Sequence, residues 1–240
     1  MPTHFEAIGL PINTPHDLQE ILGNVLLTAE KIEMGEHSYL HWTGKGGGEL
    51  WMHAIAGQLS GVSPHFGADT AIPMRIESLI QRPQDNPLEG AVRGWAHQDG
   101  QDSHELIIDV PDFTRVVMAP PAEASVSIAG FVHGLDTWSD IDAFQDAVED
   151  DPPPAFQAEG LTPDPEDPNP HTSVATLSGR VTHIEQRTEP LTSGTFQVLR
   201  VETPIGEITL VAAEGQIEGD PAVGSIVAGR AWLTGYVHVA

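Results

Sequence analysis

Without a single cysteine, this chain must do any transition-metal or near-neutral acid–base chemistry with its twelve histidines and thirty-five carboxylates. His41 and His53 are placed where they could act together. They flank Gly44-Lys45-Gly46-Gly47-Gly48, in the strand-like stretches Ser38–Thr43 and Glu49–Ile55. Pairing symmetric about Gly47 puts His41 opposite His53, on a face with Tyr39, Thr43, Trp51 and Ile55. The other face, with Leu40, Trp42, Met52 and Ala54, is more apolar and is the expected core side. Trp42 should therefore be more buried than either histidine. Two cross-strand imidazoles bind a divalent metal once a further ligand joins them, and His4 is the third candidate. A one-residue slip would separate the pair. Metal is thus a possible cofactor; no residue stands out as catalytic, and no organic cofactor is implied.

Other constellations carry less. There is no Walker loop, dinucleotide fingerprint, HExxH or GxSxG. The glycine run at 44–48 has a phosphate cradle's composition but sits between two strands, so it reads as a hairpin turn. Asp109 and Asp112, and Asp136, Asp140, Asp142 and Asp146, lack calcium-loop spacing. They suit caps and a solvated surface.

Several elements must position these residues. A strand is expected over His4–Ile12. A helix follows, with Thr14 as cap, Pro15 in its first turn and Asp17 three residues after the cap. Leu18, Ile21, Leu22, Val25, Leu26, Ala29 and Ile32 form its apolar face, and Gly35 is its expected stop. Strands are expected over Ile72–Arg82, Gly90–His97, His104–Val110 and Ala124–Val132, then a short helix capped by Ser139. Seven prolines between 151 and 170 read as a linker. Beyond it, strands are expected over Ala175–Gln186, Phe196–Thr203, Gly206–Ala213, Ile226–Leu233 and Tyr236–Val239.

The two β regions repeat each other. Arg75 to Arg82 matches Arg180 to Arg187, and Val126 to Val132 matches Ala231 to Val237, both at an offset of 105 residues. Each copy opens with a long strand after a basic residue and closes on apolar-Gly-aromatic-Val, at Gly130 and Gly235. The second copy runs as a long strand, a hairpin turning at Thr203-Pro204-Ile205-Gly206, a glycine-rich loop and a closing hairpin. In that order it resembles an OB-fold, which implies a five-stranded barrel with a binding face and no particular activity.

The expected architecture is α+β, mainly β: an N-terminal β-α-β-β module at 1–70, then two small OB-like barrels that look like a degenerate internal repeat. The first barrel falls at 71–150 with the short helix, the linker at 151–172 and the C-terminal barrel at 173–240. The N-terminal order, with His4 opening a strand and Glu49-Leu50-Trp51 on a later one, resembles half of a glyoxalase/vicinal-oxygen-chelate module. That family uses paired βαβββ units with metal ligands on the strands, and no second unit with its own helix follows here.

Charge narrows the function. Thirty-five acids against ten bases give a net charge of −25. Nucleic acid and anionic membrane surfaces are disfavoured partners. No apolar run is long enough to span a membrane, and Met1-Pro2-Thr3-His4 has no basic, apolar leader, so the expected place is the cytoplasm. The expected function is a soluble binding or scaffold protein that meets a protein partner through its barrels. The alternatives are a metal-dependent enzyme of the vicinal-oxygen-chelate type and an acidic mimic of nucleic acid.

Overall fold

A computed structural model describes residues 3–97, 104–148, 155–162 and 171–239. The chain is α+β and mainly β, with two sheets and few helices. Among the described residues no helix is long and apolar enough to cross a membrane.

His4–Ile12 is not the expected strand. Glu6–Ile8 form a turn of 3-10 helix, ended by Gly9 at φ 77°. Ala7, Ile8 and Leu10 are all fully buried, a pattern that strand alternation does not produce. Gly9 is also pressed against the core, where a Cβ would lie 2.8 Å from the Glu189 Cβ and 2.9 Å from the Gly194 carbonyl oxygen. The β-α-β-β order is thereby corrected to a helix followed by four strands.

Helix α1 (Pro15–Val25) begins as expected. Thr14 accepts from the Asp17 N–H while the Asp17 carboxylate accepts from the Thr14 N–H, a reciprocal capping box. It ends well before Gly35, because Glu30–Met34 leave as strand β1. Gly35, at φ 69°, instead follows that strand into the turn before β2 (His37–Thr43). With β3 (Gly48–Ile55) and β4 (Gln58–Phe66) these make a four-stranded antiparallel sheet in sequential order. The glycine run is the β2–β3 turn: Gly44 N–H donates to the Gly48 carbonyl at 2.8 Å, and Gly47 takes φ 90°.

That hairpin pairs about Gly46, so His41 lies opposite Trp51 and His53 opposite Tyr39. The shift from the expected register is two residues, which preserves the faces. Trp42 does take the core side, at 9% exposure, but His53 is more buried still, at 1%. A second layer covers the histidine face, which the hairpin alone could not reveal.

The second sheet holds β5 (Ile72–Ile80), β6 (Ala91–Ala96), β7 (His104–Asp109), β8 (Ala122–Trp138), β9 (Ala155–Ala158), β10 (Val174–Glu189), β11 (Gly194–Thr203), β12 (Gly206–Ala213), β13 (Ile217–Glu218) and β14 (Ile226–His238). Helix α2 (Ile141–Ala147) follows β8 and is capped by Asp140 rather than Ser139. The expected break between Ile226–Leu233 and Tyr236–Val239 is absent. β14 is continuous because it pairs with β8 throughout, with Gly235 opposite Ile128.

The pairings close into two circuits of five strands. One runs β5–β6–β7–β14–β8 and back to β5. The other runs β10–β11–β12–β8–β14 and back to β10. In each, one contact is parallel, β7–β14 and β12–β8 respectively. The long strands β8 and β14 belong to both circuits, so each copy lends the far half of its last strand to the other.

The 105-residue offset is visible in this exchange. Ala129 pairs with Thr234, which is its own counterpart at that offset. Gly130 faces Leu233 and Gly235 faces Ile128, as a local two-fold between the strands requires. The ladder irregularities between Ile76 and Ser78 and between Val181 and His183 are equivalent as well. One continuous core runs through both circuits, from Ile72 and Ile108 to Leu210 and Leu233.

The proline-rich segment is described only in part; 151–154 and 163–170 lie outside the described residues. Within it, Ala155–Ala158 is no linker. It is β9, paired with Ala175–Ser178 of β10, and Phe156 is buried there.

Candidate functional site

A cleft of about 180 Å³ opens where the polar face of the four-stranded sheet meets β14 and the end of β7. One wall comes from β3 and β4, which direct His53, Ser63 and His65 to the face opposite the N-terminal core. The facing wall holds Arg82, Asp85 and Glu89 from the β5–β6 loop, Asp109 at the end of β7, and Trp232 and Thr234 of β14. Pro64, Val110 and Pro111 add apolar surface.

The loop is held by its own carboxylates. Asp85 accepts from the Arg82 N–H at 2.7 Å, and Glu89 from the Asn86 N–H at 3.1 Å. The other Glu89 oxygen lies 3.1 Å from His53 Nδ1. Burial works to raise the Glu89 pKa, but the hydrogen bonds from His53 and Asn86 outweigh it and the net shift is downward. Asn86 Nδ2 lies 3.1 Å from the same Nδ1, so that nitrogen faces one donor and one acceptor; the charge-assisted bond to an ionised Glu89 is the stronger and favours a proton on Nδ1. Nε2 then carries a lone pair, and this atom is buried with no hydrogen-bond partner.

His65 repeats the arrangement. Its Nδ1 lies 2.6 Å from the Thr234 hydroxyl, and its Nε2 is also buried and unpartnered. Burial pushes its pKa down to about 4, against the pull of Glu49, so the ring is neutral at pH 7. Both histidines are 1% exposed. Along the β3–β4 ladder they are four residues apart, since His53 faces Gly61 and Glu49 faces His65. That is roughly 13 Å at the usual strand rise.

At the cleft floor, Asp109 is saturated. One oxygen accepts from Arg82 Nη2 at 2.6 Å and the Ser173 hydroxyl at 2.8 Å; the other accepts from Trp232 Nε1 at 2.6 Å. Arg82 also donates to the His171 carbonyl through Nε, at 3.0 Å, and Nη2, at 2.8 Å. The lining acids Asp85, Glu89 and Asp109 outnumber the single base Arg82. Burial raises the Asp85 pKa above the ordinary carboxylate value; the Arg82 N–H and guanidinium oppose the rise, and the charges of Glu89 and Asp109 add to it.

No family model, curated protein or solved structure matches this chain.

The three histidines singled out from the sequence go to different places. His41 stacks on Trp51, with ring centroids 4.2 Å apart, and lies 3.2 Å from the buried Glu49. Tyr236 donates to that carboxylate, and Trp51 Nε1 donates to both. His53 is in the cleft. His4 sits on the far side of Trp232, stacked at 4.7 Å, with its Nε2 3.0 Å from His133 Nε2. Those two imidazoles are nearly coplanar, 6° apart. A contact of this length is a hydrogen bond between one protonated and one bare ring nitrogen. Among the described residues no group of three or more histidines and acids is placed to hold a metal.

Sequence reasoning missed His65, Arg82, Glu89 and Trp232 as site residues. His65 was hidden because Ser60-Gly61-Val62-Ser63-Pro64 has the composition of a loop, whereas it lies in β4. Arg82 carried a signal, as the repeat partner of Arg187. Asp109 stood in an acidic cluster assigned to capping.

Proposed function

We propose that this chain is a binding protein that receives part of its ligand in the cleft between the four-stranded sheet and the exchanged strand β14. The observation that carries the reading is the pair of fully buried histidines, His53 and His65, each with an unpartnered Nε2 and both lining one cleft. Leaving a buried polar atom unpaired costs about 1–3 kcal/mol. Such an atom calls for a partner, an ordered water or a ligand donor, and these two line a cleft that can admit one. The closed circuits support the OB-like reading of the frame, and their shared strands supply a rigid floor for the cleft. The volume equals about six waters at ~30 Å³ each, enough for one end of a ligand and in keeping with docking of a protein side chain.

The test is a ligand-observed NMR screen of the full chain against small cationic, neutral and anionic fragments. A Ser63→Trp variant, which fills the cleft while keeping both histidines, is screened in parallel. Binding of at least one class that Ser63→Trp removes, with circular dichroism unchanged, is the expected result. Failure of every class to bind the parent chain, or equal binding to the variant, would overturn the reading.

A further inference from the structure

Resting on that reading, we infer that the group received in the cleft is a primary ammonium, carried either by a free aliphatic amine or by a lysine side chain of a protein partner. Three independent features point to this chemistry. The first is the sign of the lining: three carboxylates against one guanidinium, with both histidines buried. The guanidinium is already committed to Asp109, Ser173 and the His171 carbonyl. A cation is therefore favoured and an anion repelled.

The second feature is the unpaired acceptor. With Nδ1–H directed to Glu89, His53 Nε2 offers a lone pair that only a donor can satisfy. An ammonium brings three N–H donors and no acceptor. A divalent metal would need several converging ligands, and the described residues assemble no such group. The third feature is shape. Pro64, Val110 and Pro111 line the cleft beside the acids, which suits a slender alkyl stem with a compact charged head better than a wide planar guanidinium. The net charge of −25 adds a long-range attraction for the same class of ligand.

The experiment is calorimetric titration of the full chain with n-butylamine, n-butanol, butyrate, 1,4-diaminobutane, Nα-acetyl-lysine methylamide and a short lysine peptide. The amines should bind, and butanol and butyrate should not. Asp85→Asn and Glu89→Gln should each weaken amine binding by about tenfold, the factor one lost favourable interaction of ordinary size produces. Should Glu89→Gln fail to fold, raising NaCl from low to high concentration on the parent chain reads the same term, and amine affinity should fall. Tighter binding of diaminobutane than of the lysine compounds assigns the source to a free amine; the reverse order assigns it to a protein lysine. Binding of butanol or butyrate that Ser63→Trp abolishes would overturn the ammonium assignment and leave the cleft as the binding site. Stoichiometric Zn²⁺ binding lost in both His53→Phe and His65→Phe would overturn it in favour of a metal. Amine binding that survives Ser63→Trp would overturn the cleft itself.

Discussion

Arg82 and Arg187 are 105 residues apart and correspond in the repeat, yet Arg82 lies just past the end of β5, Arg187 lies within β10, and they do opposite things. Arg82 is 9% exposed and ties together the cleft floor through Asp109, Ser173 and the His171 carbonyl. Arg187 is 31% exposed, pairs with its near neighbour Glu185 and reaches the Gly46 carbonyl. At the Arg187 end the glycine turn of the N-terminal sheet lies against the second copy, where Gly46 N–H donates to the buried Glu189. At the Arg82 end the same sheet stands off far enough to leave a cleft. A duplicated frame thus becomes asymmetric through a single appended sheet, which seals one end and converts the other into a site.

The largest expected difference follows directly. Arg82→Ala takes the guanidinium from the half-buried Asp109 carboxylate and from the His171 carbonyl, and urea unfolding should report a loss of about 1–3 kcal/mol. Arg187→Ala removes a partly exposed pair and should cost about 0–1 kcal/mol. Equal losses would mean that the two ends are energetically alike.

Acid should act at the Arg82 end. His65 and His4 have pKa values lowered from 6.5 to about 4 in the fold, His65 by burial with His41 adding, and His4 by burial and then His133. The unfolded chain therefore binds more protons between those values, and stability falls as pH drops from about 6.5 to about 4. Replacing His65 with Gln should flatten the dependence of the thermal midpoint on pH across that window.

The paired glycines sharpen the comparison further. A Cβ at Gly235 would sit 2.6 Å from the Ser127 carbonyl oxygen, a backbone atom; at Gly130 the nearest atom, also at 2.6 Å, is the movable tip of Leu210. Gly235→Ala should cost about 2–3 kcal/mol and Gly130→Ala about 1 kcal/mol by thermal unfolding, because overpacking is relieved only where the neighbour can yield. Reversal of that order would show that the exchange is not tightest at β14. Outside both copies, Thr14→Ala should lose about 1 kcal/mol as the cap of α1 is removed, leaving amine titrations unchanged.

Local signals carried much of the fold. The Thr14–Asp17 cap, the turn at 44–48 and the strands β5, β6, β7, β11 and β12 depend on neighbours a few residues away, so composition and periodicity state them. The repeat was also legible, because its offset lies in residue identity. Where local patterning misled, tertiary burial had overridden it: Ala7, Ile8 and Leu10 are buried in succession on a turn, and a Gly-Ser-Pro stretch is carried into β4 by its partner β3.

The sequence by itself determined a mainly β chain, acidic and without cysteine, with a duplicated frame and a histidine-bearing hairpin. Only the tertiary structure decided that β8 and β14 exchange between the copies, that the hairpin's polar face is covered, and that His53, His65 and Glu89 line one cleft. The physical reason is range. Turns and caps are selected by the backbone needs of a few consecutive residues. Strand exchange and the convergence of side chains from β3, β4, β7 and β14 depend on which distant surfaces bury each other, and no short stretch of the chain encodes that choice alone.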